Sequence, residues 1–243
     1  MGLAPYATFP FGPIVDGDFV PDLPQRLLAA GKYHKVDLLV GHNSNEGFFQ
    51  APPFVHSQGQ FVSFVQNILP HAHHSVISDI TTKLYADVFD GSAGYTSQLN
   101  RSEDFLGDLF YDCFAFWLSS FMPDTYAYLF SVTNSGAMPP GLHGQDIGFT
   151  FYNGESSSFL GPIDADVAKS LQTYLVNFAM TGKPTAEGLP SMVVYGDNHT
   201  ITNIGKTDMG AQLADPAATR SQCAYWLKAP YEPLHGSREM GEL

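Results

Sequence analysis

Positive charge is scarce in this sequence of 243 residues. It carries 11 basic side chains against 24 acidic ones, which gives a formal net charge of -13, and the basic ones are scattered along the chain. Proteins that bind nucleic acid neutralise rows of phosphates with clustered lysine and arginine. The composition therefore disfavours a nucleic-acid partner.

The sequence also lacks a long apolar run. No stretch approaches the roughly 20 consecutive apolar residues that cross a bilayer, so we predict no membrane span. The amino-terminal stretch MGLAPYATFPFGPIVDG has neither a basic start nor a continuous apolar segment, and it is therefore not a signal peptide. Two N-glycosylation sequons, at Asn100 and Asn198, have a function only in a secretory chain. We expect a secreted full-length protein whose leader is missing from this sequence.

The hydrophobic pattern predicts alternating helices and strands. With 44% hydrophobic residues the chain can bury one large core, and we find no internal repeat or linker that would mark a domain boundary. The pattern predicts strands at 38–40 and 126–132, a hairpin of 192–195 with 200–204, and helices at 24–30, 60–69, 75–85, 102–119, 164–180 and 220–228. This order indicates an α/β architecture. Two central strands are few for a sheet of typically about four to six, so the sheet looks like half of one.

The stretch HNSNEGFF places a carboxylate, Glu46, directly behind the apolar run at 38–41. In open α/β sheets the chemistry gathers at the carboxyl ends of the strands, so Glu46 is a candidate site residue. The alternative is a solvated turn glutamate.

The second predicted strand is followed by the loop PGLHGQD, in which His143 lies between Gly141 and Gly144. A loop histidine at the end of a strand can serve as a base. In α/β-hydrolases the catalytic residues follow one another along the chain in the order Ser, Asp/Glu, His. Glu46 and His143, each directly after a predicted strand, match the last two positions of that order. The alternative is a glutamate and a histidine that do not contact each other.

Five segments in this order, FGPIVDGDFVPDLP, LLVGHNSNEGFF, LHGQDIGFTFYNG, NFAMTGKP and CAYW, resemble the carboxyl-terminal part of the type-B carboxylesterase family, which includes lipases and cholinesterases. The resemblance spans about residues 9–227. It implies an α/β-hydrolase fold of which residues 1–243 form the carboxyl-terminal half, with the last sheet strands and their packing helices. It further implies no cofactor or metal, a small carboxylic ester as substrate, and the upstream half of the same domain as partner.

In that family the glutamate of the NEG motif and the histidine of the HG-x-[DE] motif belong to the catalytic triad, and they match Glu46 and His143. The nucleophile lies upstream on a G-x-S-x-G turn, and no complete copy occurs here. The stretch GESSS at 154–158 lacks the final glycine and follows His143, so we reject it. The oxyanion-hole glycines also lie upstream, and we expect the chain alone to be inactive.

Cys113 and Cys223 are the only cysteines. In a cytosolic protein they would be two unrelated buried thiols, whereas an even count together with sequons favours a disulfide. The family places a disulfide between its long helix and its last helix, where these two residues fall. Two further patterns are weaker. His71, His73 and His74 could form a metal site, but a histidine cluster of this kind is more typical of a solvated loop. Phe48, Phe49, Phe149 and Phe151 could line an acyl pocket, with core packing as the default interpretation.

A second function class stays open at this point. Cholinesterase-like domains without a working nucleophile exist as non-catalytic adhesion or binding modules, and the chain could also be an inactive gene fragment. The sequence upstream of Met1 would distinguish these alternatives from an esterase. Retention of both Glu46 and His143 favours the enzyme.

Overall fold

A computed structural model describes residues 11–133, 138–155 and 161–231. Its centre is a four-stranded sheet in the order β1-β2-β3-β4. The strands are β1 (Leu39–Asn43), β2 (Tyr126–Phe130), β3 (Thr200–Ile204) and β4 (Gln212–Ala214). The first three run parallel, and β4 pairs with β3 in the antiparallel sense.

Within the described ranges eight α-helices accompany the sheet: α1 (Pro24–Ala29), α2 (Gln58–Ile68), α3 (His74–Asp79), α4 (Gln98–Gly107), α5 (Cys113–Phe121), α6 (Gln145–Thr150), α7 (Ala165–Thr181) and α8 (Ser221–Leu227). A π-helical segment, Ile80–Leu84, continues α3, and a 3-10 turn, Pro216–Thr219, precedes α8. All six helices predicted from the sequence are present, while α6 was missed. Among the described residues no helix has the length and apolar composition needed to cross a membrane.

The predicted hairpin of 192–195 with 200–204 is wrong. Thr200–Ile204 is a strand, but it lies between β2 and β4, and it pairs with β2 in parallel. Val194 instead forms an isolated antiparallel bridge with Tyr126. The turn at Gly196–His199 therefore connects two segments that both reach β2, and the parallel part of the sheet has three strands rather than two.

Helices cover both faces of the sheet because side chains of β2 alternate between them. Tyr128 and Phe130 pack in a cluster with Leu171 and Tyr174 of α7. Their neighbour Ala127 belongs to another cluster, against which Phe116 of α5 packs. This is the layered α/β arrangement that the sequence predicted.

The predicted helix at 102–119 is a longer helical stretch with an interruption. A π-helical turn, Asp108–Asp112, separates α4 from α5. Phe105, Leu109 and Cys113 lie on the buried face of this stretch. They belong to an aromatic core formed mainly by α2, α4, α5 and α8, in which Trp117 is also almost completely buried.

Candidate active site

Glu46 lies in the first turn after β1, and its carboxylate is held by the end of that strand. The backbone N–H of Asn43 donates to Oε1 of Glu46 over 2.7 Å, and Nδ2 of Asn43 donates to the same oxygen over 3.3 Å. Only 5% of Glu46 is exposed. A buried carboxylate is stable only with such donors, so this turn is built around its charge.

The turn that carries Glu46 (the acid turn) and the loop that carries His143 (the histidine loop) are joined by backbone hydrogen bonds. These bonds continue the β1–β2 ladder. The N–H of Ser44 donates to the carbonyl of Phe130 over 3.0 Å, and the N–H of Asn45 donates to the carbonyl of Gly141 over 2.8 Å. Asn45 and Leu142 form a parallel bridge. The two loops are therefore extensions of the sheet, which fixes their distance from each other.

Gly141 makes this junction possible. Its φ is +58°, a left-handed conformation, and a Cβ built on it would lie 2.1 Å from the carbonyl oxygen of Phe130 and 2.5 Å from Oγ of Ser44. Any larger residue would push the two loops apart.

His143 meets Glu46 directly. Its Nδ1 lies 2.6 Å from Oε2 of Glu46, and 42% of the histidine side chain is exposed. Glu46 accepts at both oxygens, so Nδ1 carries the hydrogen of this bond. The hydrogen bond raises the pKa of His143 above its usual value, burial lowers it, and the charges of Glu46 and Asp146 raise it further. No described residue bonds Nε2, which leaves that nitrogen available to a reactant.

A buried glutamine holds the backbone on either side of His143. Oε1 of Gln145 accepts from the N–H of Leu142 over 3.0 Å, and its Nε2 donates to the carbonyl of Val132 over 3.1 Å. Gly144, at a φ of +73°, leads into α6. The histidine therefore stands on a tight turn between the sheet and a short helix.

Asp146 is a second carboxylate near the pair. Its Oδ1 accepts from Nδ2 of Asn43 over 3.0 Å, the same nitrogen that reaches Glu46. Tyr128 donates to its other oxygen over 3.4 Å. Asn43 thus links two carboxylates through one amide. Sequence reasoning missed Asn43 in this role, although its position three residues before Glu46 places it in the same turn.

Tyr111 is a further neighbour that sequence reasoning missed. It lies in the π-helical turn, and its ring centroid is 4.5 Å from that of His143 with the two planes 38° apart. Nε2 of Gln50 donates to its hydroxyl. No local sequence signal predicts this contact, because 32 positions of chain separate the two rings.

An ionic cluster lies behind the acid turn, around a small polar cavity that Ser44 to Phe48 line on one side. Arg220 lies 3.0 Å from Asp108 and 3.6 Å from Asp104. Burial raises the pKa of Asp108 to about 7 and that of Asp104 to about 6, although the guanidinium opposes both shifts. The cluster ties α8 to the helical stretch that borders the site.

Comparison with known proteins shows the family of this chain. The family model for the carboxylesterase family matches residues 3–226. The chain belongs to the carboxylesterase family.

Curated carboxylesterases and cholinesterases are similar to this chain in sequence. The chain is 33% identical over 229 residues to carboxylesterase patB of Aspergillus clavatus, covering 93% of this chain and 39% of that protein. It is 29% identical over 241 residues to an acetylcholinesterase of Bungarus fasciatus, covering 90% of this chain and 39% of the relative. The chain therefore spans about two fifths of the length of these curated relatives.

The fold matches a solved structure. Aspergillus niger EstA superposes with a TM-score of 0.74 over 92% of this chain and 46% of that structure, at 19% sequence identity. The mixed sheet with helices on both faces is consistent with part of an α/β-hydrolase fold, as the resemblance of the sequence motifs implied.

The predicted disulfide is confirmed. Cys113 at the start of α5 and Cys223 in α8 are bonded, with their Cα atoms 5.0 Å apart. Both cysteines also lie near Asp108 in a group of potential metal ligands, the one such group found among the described residues. Because both sulfurs form the disulfide, they do not offer thiolates to a metal.

The two sequons differ in their surroundings. Asn198 is exposed in the turn before β3. Asn100 lies in the first turn of α4, where its side chain bonds Ser97 and Glu103, and the hydroxyl residue of its sequon, Ser102, is completely buried. Glycosylation of either site stays a prediction, and the folded geometry favours Asn198.

The remaining sequence candidates are placed apart. Phe149 is buried and packs on Phe130, whereas Phe49 and Phe151 are largely exposed. His71, His73 and His74 are exposed, as the interpretation as a solvated stretch implied. His73 caps α3 and His74 is the first residue of that helix, so the predicted loop is wrong for His74. The serines of GESSS lie outside the described residues.

Proposed function

We propose that this chain supplies the acid and the base of a Ser-His-Glu triad that hydrolyses carboxylic esters. Glu46 is the acid and His143 the base. The observation that carries the proposal is the contact of 2.6 Å between Nδ1 of His143 and a buried carboxylate that two donors of Asn43 hold in place. Membership of the carboxylesterase family supplies the reaction class.

The first chemical task is to aim the histidine. With the hydrogen on Nδ1 directed to Glu46, Nε2 of His143 has a free lone pair and faces no described hydrogen-bond partner. A serine hydroxyl is a poor nucleophile until such a nitrogen takes its proton. Glu46 therefore acts by fixing the tautomer and the direction of the ring.

The second task is to stabilise the charge that forms when His143 takes the proton. Both Glu46 and Asp146 place negative charge near the ring, and the pKa of His143 is raised, first of all by its bond to Glu46. The imidazolium then returns its proton to the leaving alcohol. The acyl group stays on the serine until water releases it by the same steps.

The serine and the oxyanion donors come, in this proposal, from an upstream segment of the same domain. The 243 residues contain no complete G-x-S-x-G sequence. Residues 1–243 are then the carboxyl-terminal portion of a single carboxylesterase domain, and the upstream portion is its partner. The proposed compartment is extracellular, supported by the disulfide, which persists in oxidising surroundings.

The test is a graft. Residues 3–226 replace the matching part of the Aspergillus clavatus carboxylesterase, and hydrolysis of a short-chain aryl ester is measured. We expect Glu46→Gln and His143→Ala to lower kcat by on the order of 10⁴ to 10⁶. The ungrafted chain should show neither turnover nor labelling by a fluorophosphonate.

Two exposed residues of the same types serve as matched controls. Glu187→Gln and His56→Ala should leave the rate of the graft unchanged, since both side chains are exposed and neither contacts the pair. A folded graft that labels with the fluorophosphonate yet loses nothing on His143→Ala contradicts the proposal. A graft that folds but never labels favours a non-catalytic binding module.

A further inference from the structure

We propose that Tyr111 is a positioning residue for His143: its ring holds the imidazole in the orientation that bonds Glu46 and stabilises the protonated form of the ring. The consequence for ester hydrolysis rests on the proposed function above. The contact itself, and the test described below, do not require any catalysis.

The first argument is the contact. The ring centroids of Tyr111 and His143 are 4.5 Å apart, the close end of the roughly 4.5 to 7 Å at which aromatic pairs attract each other. On its own loop His143 is flanked by Leu142, which is buried, and by Gly144, which has no side chain. Its bond to Glu46 alone would leave the imidazole free to swing about Nδ1. Tyr111 covers one face of the ring and removes that freedom.

The second argument is that Tyr111 is itself fixed. Gln50, four residues after Glu46, donates to its hydroxyl, so the acid turn and the π-helical turn hold one ring between them. Asp108 anchors the start of the π-helical turn, where Tyr85 donates to it over 2.8 Å. Cys113 follows the turn and is bonded to α8. A positioning group acts only when its own support is rigid, and this one is held at both ends.

The π-helical turn explains how Tyr111, which lies in a helical stretch, reaches His143. A π turn adds one residue to a helical turn, and one residue corresponds to a rotation of about 100°. The added residue at Asp108–Asp112 lets Asp108 stay in the core while Tyr111, three positions on, reaches the histidine. Such turns occur frequently at functional sites.

The third argument is electrostatic. The charged and titratable groups that face His143 are the carboxylates of Glu46 and Asp146 and the phenol of Tyr111. Burial raises the pKa of Tyr111, so its hydroxyl is neutral and adds no charge of its own beside the imidazole. A cation near the face of a tyrosine is attracted to it. Tyr111 therefore adds to the stabilisation that the two carboxylates give to protonated His143, and it does not replace that stabilisation.

The experiment is a proton titration of His143 in the full chain. Histidine labelled with nitrogen-15 is observed by NMR, and His143→Gln assigns the signal among the nine histidines. We expect Tyr111→Leu to weaken proton binding by His143 about two- to fivefold, the size of an exposed cation–π contact. Tyr111→Phe keeps the ring but loses the bond from Gln50, so it should weaken proton binding less than Tyr111→Leu does.

Tyr225→Leu is the matched control. Tyr225 is also partly buried, and its ring packs on Trp226 of α8 instead of on His143. If Tyr111→Leu and Tyr225→Leu both leave the titration unchanged, or both change it equally, the proposal is overturned.

A measurement on the wild-type chain protects the test against a variant that does not fold. A nuclear Overhauser effect between the ring protons of Tyr111 and His143 must be present, and its absence in the folded chain overturns the proposal. Failure of the esterase graft leaves this result untouched, because no substrate is involved. The positioning role and the proposed function therefore fail separately.

Discussion

Replacing Gly141 by alanine should damage both the fold and the site. The backbone there has a φ of +58°, which costs a residue with a Cβ about 1 to 2 kcal/mol. The new Cβ would also start 2.1 Å from the carbonyl oxygen of Phe130, so the loops must separate by about 1 Å. That movement weakens the hydrogen bonds from Ser44 to Phe130 and from Asn45 to Gly141, each worth about 0.5 to 1.5 kcal/mol. The expected loss is about 2 to 5 kcal/mol in the free energy of unfolding.

Gly144 provides the comparison that isolates the contact from the backbone conformation. Its φ is +73°, but a Cβ there would meet only the Cδ1 atom of Ile147, at 3.7 Å. Gly144→Ala should therefore cost about 1 to 2 kcal/mol for the left-handed conformation alone. The two variants test the same backbone region with and without the steric conflict.

Urea unfolding followed by tryptophan fluorescence measures both variants, and the histidine titration shows whether the pair survives. Gly141→Ala should lose the raised pKa of His143, because its bond to Glu46 is the main cause of that shift. Gly144→Ala should retain it. Equal losses of stability for the two variants, within about 0.5 kcal/mol, would refute the reasoning, since the steric term would then be absent.

Three further outcomes are expected. The pKa of His143 is raised in the folded chain, so its pairing with Glu46 stabilises the fold fully below the ordinary pKa of 6.5. That stabilisation is lost as the pH rises through the pKa of the folded state. In urea unfolding, Glu46→Gln should therefore destabilise the chain more at about pH 5.5 than at about pH 9. Changing Cys113 and Cys223 together to serine should cost about 4 to 5 kcal/mol by the same assay, since the disulfide spans 110 residues of sequence. In a secretory host, a glycosidase-sensitive gel shift should disappear with Asn198→Gln, because the other sequon lies in a helix.

Local patterns predicted the elements whose signals are complete in the sequence. The helix Ala165–Thr181 is an example: Asp164 caps its start, Gly182 ends it in the left-handed conformation, and the apolar stripe with Leu171 and Tyr174 is buried. The sequence therefore contains the signals for both ends of this helix and for its buried face. The motifs around Glu46 and His143 were readable in the same way.

Features that depend on distant partners were not readable. Nothing in the sequence of β3 says that it pairs with Tyr128–Phe130 in parallel, so the nearby turn at Gly196 suggested a hairpin instead. The short α6 follows Gly144, which has no side chain to cap the helix, and it was missed for that reason. Tyr111 was interpreted as part of a regular helix, since a π-helical turn leaves no local pattern.

Two segments lead from the sheet to the site: the acid arm, from β1 to Glu46, and the histidine arm, from β2 to His143. They differ in how much inserted sequence they could accept. Only Ser44 and Asn45 separate the end of β1 from Glu46, and the backbone N–H of each is bonded. On the histidine arm the N–H of Gly141 donates to the carbonyl of Val132 over 3.1 Å, and this bond joins the two residues directly. Doubling the number of residues between two positions joined in this way costs only about 0.6 kcal/mol in closure entropy. Sequence inserted between Val132 and Gly141 should therefore leave Glu46 and His143 aligned. As this site diversifies, the histidine arm can become longer while the acid arm keeps its length.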